Sequence, residues 1–192
     1  LDLLRRAKCF GINLAKLDIR QESSRHSALV NEILTKKYGL KYQNLTENEK
    51  VSKISKHINK KNENLRNIKI SNKLNKEVWE TFKIISRQPK ECLGAYVISM
   101  TSSSSDILNV YYLQKLAKIK NYLRVVPLLE TLDDLKNGKK IMEKLFSLNW
   151  YRKLINHKQE VMIGYSDSSK DAGKLSSSWH QYKVEEELRD LA

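Results

Sequence analysis

Only two cysteines, Cys9 and Cys92, occur in the 192 residues, with no CxxC pair and no metal-ligand spacing around them. A cysteine-held zinc site is thereby excluded, and both residues read as small apolar side chains of a reducing compartment. Apolar runs reach only about five to eight residues, short of the roughly 18 that a membrane-spanning helix requires, and no stretch reads as a secretory signal. A GxSxG turn is missing, so the Ser102–Ser105 run reads as loop or cap chemistry, not as a serine nucleophile. His57, His157 and His180 lie in polar surroundings without a partner pattern. His26, next to a helix start, reads as a cap or structural hydrogen bonder before it reads as a base. Tyr165 and Trp179 read as core or rim packing, not as cofactor-stacking rings.

What the chain has in excess is positive charge, a formal +14. Such a balance raises a nucleic-acid reading. The lysines do not form a binding stripe, however. They are scattered among Asn and Ile, as in Lys53–Lys76, where there is no aromatic residue for base stacking and no Arg cluster. Charge runs of this kind usually cover solvated faces, and Tyr38–Asn75 reads as a variable Lys/Asn-rich insertion. A basic nucleic-acid-binding module is the alternative reading. It requires DNA or RNA binding that weakens steeply with salt.

Four short apolar runs stand out: Leu14–Ile19, Leu93–Met100, Leu123–Leu129 and Val161–Tyr165. The second and third are nearly continuous, as in strands buried on both faces of a parallel sheet. Helical patterns follow each, at Ser24–Tyr38, Ser105–Lys118, Thr131–Phe146 and Asp171–Leu191. Ser105 is the expected cap of the second, and Thr131 with Asp134 a box-like start for the third. Further helices are expected at Glu47–Ile58, Lys76–Arg87 and Leu148–Ile155. A β-α unit repeated four times predicts an α/β fold, part of a TIM-like (β/α)8 barrel with many additional helices. The first ten residues read as the middle of an amphipathic helix, and the last helix carries no stop signal. Both ends therefore predict a piece of a larger domain.

Polar residues gather at the carboxyl ends of the strands, where barrel chemistry sits. Arg20, Glu130, Asp167 and Lys170 are the charged members of that set. Two carboxylates make a hard oxygen site suited to Mg2+ or Mn2+. Arg20 offers a planar fork for a phosphate or carboxylate, and Lys170 a point charge beside a helix start that already favours anions. Singly, each has a plainer reading: Glu130 as a dipole-complementing carboxylate, Asp167 or Ser168 as an N-cap, Arg20 as a surface partner of Asp18 or Glu22, and Lys170 as a solvated side chain. Only their joint placement favours function.

The same segments resemble the phosphoenolpyruvate carboxylase family. The words are LDLLRRAKCFG (Leu1–Gly11), LDIRQESSRH (Leu17–His26), AYVISM followed by SDIL (Ala95–Leu108), VVPLLETLDDL (Val125–Leu135) and the long run Trp150–Lys183 containing QEVMIGYSDSSKDAG. The resemblance implies a helix-surrounded α/β barrel, a divalent metal (Mg2+ or Mn2+) and a cytoplasmic homotetramer. Its implied substrates are phosphoenolpyruvate and bicarbonate, with no nucleic-acid or membrane partner. It also implies that Glu130 and Asp167 are metal ligands, that Arg20 holds the substrate phosphate or carboxylate, and that Lys170 binds an anion near the bicarbonate or phosphate. In the implied reaction, bicarbonate attacks the phosphate to give carboxyphosphate and an enolate, which then captures the released carbon dioxide.

Three positions depart from the family pattern. Ser104 stands where Pro is usual, Leu129 where Phe is usual, and Ser169 where Gly or Ala is usual. None removes an implied ligand. The family's glycine- and arginine-rich phosphate loop, its upstream catalytic histidine and its C-terminal inhibitor site are not among these residues. The chain by itself is therefore expected to be inactive.

Overall fold

The computed structural model describes residues 1–11, 15–61, 63, 65 and 69–192. It is a helix-rich α/β fold around a four-stranded parallel sheet in the order β1-β2-β3-β4. In chain order the elements are α1 (Asp2–Phe10), β1 (Leu17–Glu22), α2 (Ser23–Tyr38), α3 (Glu47–Asn59), α4 (Lys73–Ile85), β2 (Leu93–Ser99) and α5 (Ser104–Leu116). Then follow β3 (Arg124–Leu129), α6 (Leu132–Phe146), α7 (Asn149–Leu154), β4 (Met162–Ile163), α8 (Tyr165–Ala172) and α9 (Lys174–Leu191). Four β-α units in sequential, parallel order match the expected organisation. The first apolar run was expected to open at Leu14, which lies outside the described residues; the strand itself is shifted toward Glu22.

Side-chain alternation divides the sheet into two faces. Tyr96 and Ile98 of β2 and Val125 of β3 join the main core, which is built from α2, α3, α4, α5, α6 and α7. Leu29, Val30, Ile33 and Leu34 supply the inner stripe of α2 and are all fully buried. Each such side chain contributes about 1.5–3 kcal/mol when taken from water. On the opposite face Ala95, Val97, Val126 and Leu128 form a smaller strip, with Met162 against it. Among the described residues, the large helical core is thus confined to one side of the sheet.

Helix starts follow local hydrogen-bonding chemistry. Thr131 and Asp134 form the expected capping box of α6, with the Asp134 N–H donating to Thr131 Oγ1 at 3.1 Å and the Thr131 N–H to Asp134 Oδ2 at 3.0 Å. At α5 the expectation is corrected. The cap is Ser103, whose N–H and Oγ both donate to Asp106 Oδ2 at 2.9 Å. Ser105 instead faces the start of α3, where its N–H and Oγ donate to the Glu47 carboxylate at 2.9 and 2.7 Å. The expected single helix Asp171–Leu191 is also corrected, to α8 and α9. They are separated at Gly173, whose φ of 75° lies in the region that L side chains avoid.

The Tyr38–Asn75 segment contributes α3, whose Val51, Ile54 and Ile58 are buried. Glu63 anchors it: its carboxylate accepts from Lys37 Nζ at 2.6 Å, from the Tyr38 hydroxyl at 2.8 Å and from the Tyr112 hydroxyl at 3.1 Å. Burial by itself would raise the Glu63 pKa, but these donors and the Lys37 charge hold it down at about 2. Cys92 is half-buried against the main core, whereas Cys9 is exposed. Tyr165 and Trp179, expected to pack, are exposed as well. Among the described residues no helix is long and apolar enough to cross a membrane.

His26 is a structural hydrogen bonder, as its position suggests. It is fully buried, with Nε2 2.8 Å from the Tyr96 hydroxyl and its ring edge-on to Phe82 and Tyr96. Burial pushes its pKa down to about 3. A lowered folded pKa makes stability complete above the unfolded value near 6.5 and drains it as pH falls from there toward about 3. Between about pH 7 and pH 5 this residue should remove about 2 kcal/mol of stability. His26→Leu is expected to flatten that slope in urea unfolding; an unchanged slope would show that His26 is not the responsible group.

Candidate functional site at the carboxyl end of the sheet

Register places the first two candidates on one face. Arg20 pairs with Val97 between β1 and β2, so it stands on the side of the Ala95–Val97–Val126–Leu128 strip. Glu130 lies two residues beyond Leu128 and continues the same alternation. The two meet: Arg20 Nη2 is 3.8 Å from Glu130 Oε2, with the Arg20 side chain 56% exposed and that of Glu130 11% exposed. Arg20 therefore pairs with Glu130, not with Asp18 or Glu22. Asp18 accepts from the Ala95 N–H at 2.6 Å, and Glu22 from Ser24 Oγ at 2.5 Å. A half-exposed ion pair contributes at most about 1 kcal/mol. Its meaning here is placement: a guanidinium is held beside a mostly buried carboxylate.

Glu130 is fixed from further directions. Its Oε1 accepts from the Met100 N–H at 2.6 Å. Met100 aims that N–H with a φ of 52°, an uncommon conformation for a side chain of its size, and its carbonyl accepts from Ser23 Oγ at 2.6 Å. Behind Glu130, the Gly164 N–H donates to the Leu129 carbonyl at 2.9 Å. A Cβ on Gly164 would lie 3.0 Å from Glu130 Cβ and 3.2 Å from its Cα. An added methyl group there would require Glu130 or β4 to give way by a few tenths of an ångström.

Asp167 and Lys170 sit on α8, which begins one residue after Gly164. They were expected in the loop beyond the fourth strand, and the structure corrects this to a helix. Gly164 is the N-cap, so neither Asp167 nor Ser168 takes that role. Both Asp167 and Lys170 are exposed and make no side-chain hydrogen bond or ion pair among the described residues. The helix itself is tightly held. Ser168 is fully buried; its Oγ donates to the Gly164 carbonyl at 2.5 Å, lies 2.8 Å from Ser177 Oγ and accepts from Gln181 Nε2 at 2.7 Å. Asp171 accepts from the Leu132 N–H at 2.8 Å. Ser177, Gln181 and Asp171 were not singled out by residue type, and Ser168 only as a cap, since each bond depends on where distant elements pack. The one available signal was the run of small polar residues in the SDSSKDAG word.

A divalent hard cation takes one or two carboxylates from a protein and completes its shell with water and substrate oxygens. Glu130 and Asp167 are donors of that type. Among the described residues no group of three or more His, Cys, Asp or Glu side chains is placed to hold a metal. The departures from the family pattern are all accommodated. Ser104 Oγ donates to the Ile141 carbonyl at 2.9 Å, Leu129 packs with Leu135 and Val184, and Ser169 Oγ donates to the Tyr165 carbonyl at 2.8 Å.

The family described as phosphoenolpyruvate carboxylase matches residues 1–192. The phosphoenolpyruvate carboxylase of Histophilus somni (strain 2336) is 45% identical over 192 residues, covering 100% of this chain and 22% of the relative. That of Actinobacillus pleuropneumoniae serotype 5b (strain L20) is 45% identical, with 100% and 22% covered. That of Salmonella choleraesuis (strain SC-B67) is 47% identical over 190 residues, with 98% and 21% covered. The chain thus spans about a fifth of the length of the curated relatives it matches.

The contact behind Glu130 is directly testable. Gly164→Ala forces a methyl group against the Glu130 backbone and should lower stability by about 1–3 kcal/mol, as overpacking does. Thermal unfolding measures this, and an unshifted midpoint would show that β4 can retreat from Glu130 without loss.

Proposed function

The chain belongs to the phosphoenolpyruvate carboxylase family, and on that premise we propose that it contributes one part of an active site that carboxylates phosphoenolpyruvate with bicarbonate. The products are oxaloacetate and phosphate. The observation that carries this reading is the pairing of Arg20 with Glu130 at the carboxyl end of the sheet, beside a helix bearing Asp167 and Lys170. In this reading the sheet is four successive units of a (β/α)8 barrel. The sequential parallel order and the one-sided helical layer support it, with the Ala95–Val97–Val126–Leu128 strip as interior.

Each residue then has a chemical role. Arg20 grips the phosphate or carboxylate of phosphoenolpyruvate through its planar fork. Lys170 supplies charge to the bicarbonate or to the phosphoryl group it attacks. Glu130 and Asp167 would hold Mg2+ or Mn2+, which when bound supplies fixed positive charge for the developing enolate. Bicarbonate oxygen bonds to phosphorus as the enolate oxygen leaves with its electron pair, giving carboxyphosphate and the enolate of pyruvate. Carboxyphosphate releases carbon dioxide and phosphate, and the enolate carbon bonds to the carbon dioxide. Family membership also supports a homotetramer in the cytoplasm as the assembled form.

The test is made on the full-length protein of which this chain is a part. It should form oxaloacetate from phosphoenolpyruvate and bicarbonate only with Mg2+ or Mn2+. Asp167→Asn should lower kcat by more than about 100-fold, beyond the range seen for outer-sphere partners of a metal. The isolated 192-residue chain should form none. A folded full-length protein without activity, or oxaloacetate from the isolated chain, would overturn the proposal.

A further inference from the structure

Helix α8 touches the Glu130 segment at two points, one on each side of it. Before Glu130, the Gly164 N–H donates to the Leu129 carbonyl at 2.9 Å. After it, the Asp171 carboxylate accepts from the Leu132 N–H at 2.8 Å. Seven residues of helix from Gly164 to Asp171 rise about 10.5 Å. Three residues of extended chain from Leu129 to Leu132 span about 10–11 Å. The lengths match, so α8 lies along the segment as a splint, with Glu130 and Thr131 between its two attachments. Asp167 falls between the attachments along the helix, about 4.5 Å beyond Gly164.

We propose that Asp171 is a positioning residue that couples the Asp167–Lys170 helix to Glu130. The attachment at Gly164 is covalent neighbourhood to β4 and would survive rotation of α8 about its first turn. The Ser168–Ser177–Gln181 network binds α8 to α9, not to Glu130. Asp171 ties the far end of α8 directly to the first residue of α6, whereas α9 reaches α6 and Leu129 through Val184. Its bond is charge-assisted and directed at a helix N-terminus, where a carboxylate is favoured by the exposed N–H groups. Because Leu132 opens α6 directly after Thr131, any slip of that bond moves α8 relative to the carboxylate of Glu130. The relation between the Glu130 and Asp167 carboxylates is then set by Asp171, which takes no part in the chemistry.

The inference rests on the carboxylase reading for its metal and activity readouts, but its geometry can be judged separately. In the full-length protein, Asp171→Ala should raise amide hydrogen exchange in residues 130–133 and 165–172 together. Asp171→Asn, which retains an accepting oxygen, should not. Mn2+ binding, followed by the electron paramagnetic resonance of the free ion, should weaken roughly 10- to 100-fold in Asp171→Ala, with kcat falling alongside, and Asp171→Asn should recover most of both. Leu132→Pro deletes the donating N–H at the first helical position, where proline is tolerated. It should mimic Asp171→Ala, and the double variant should be no worse than either single one. Unchanged exchange in Asp171→Ala, additive effects in the double variant, or failure of Asp171→Asn to restore would overturn the proposal. If the wild-type protein neither binds Mn2+ nor carboxylates, the carboxylase reading falls, while the exchange comparison still decides whether Asp171 couples the two segments.

Discussion

The hydrogen bond from the Met100 amide to Glu130 is the contact on which the rest of the site converges. It joins the ends of β2 and β3. Arg20 reaches the same carboxylate from β1, and Gly164 presses against its backbone from the end of β4. The residues just after β2 and β4 and one residue within β1 therefore all meet the acidic residue that follows β3. A parallel sheet makes this possible because every strand ends at the same edge. The helical layer enters through Ser23 on the Met100 carbonyl and through Asp134, whose Oδ2 accepts from the N–H groups of Glu130 and Thr131 at 3.4 and 3.0 Å.

Much of this was legible in the sequence. The β-α alternation, the helix over Glu47–Ile58 and the α6 capping box all follow from period and residue type. Local signals of this kind survive in the structure because packing agrees with them. What was not legible depends on distance. Ser166–Lys170 reads as loop, since Ser and Asp favour turns over helix interiors. It is helical because Ser168 bonds back to the Gly164 carbonyl and is buried against Ser177 and Gln181. The partner of Arg20 was equally hidden: Asp18 and Glu22 are two residues away, whereas Glu130 is brought in by sheet register. Tyr165 and Trp179 show the reverse error, since aromatic character alone does not say which face of a helix finds a neighbour.

The Tyr38–Asn75 segment illustrates how a lysine-rich stretch is incorporated into a core. Its apolar residues, Val51, Ile54 and Ile58, face inward at helical spacing. Among the described residues its deeply placed charge, Glu63, is matched by Lys37 and by two tyrosine hydroxyls. The abundance of lysine that first suggests a polyanion partner is thus compatible with a helix that packs like any other.

The pairing of Leu17 with Leu93 has a consequence for how the chain is made. The partners are 93 − 17 = 76 residues apart. At a synthesis rate of roughly 5–20 residues per second, β1 leaves the ribosome some 4 to 15 seconds before the strand it needs exists. For that interval its backbone is an unsatisfied edge, the kind that recruits other chains. The alternate residues Asp18, Arg20 and Glu22 put a charge at every second position of the waiting strand. These charged side chains would meanwhile act as gatekeepers for a nascent polypeptide.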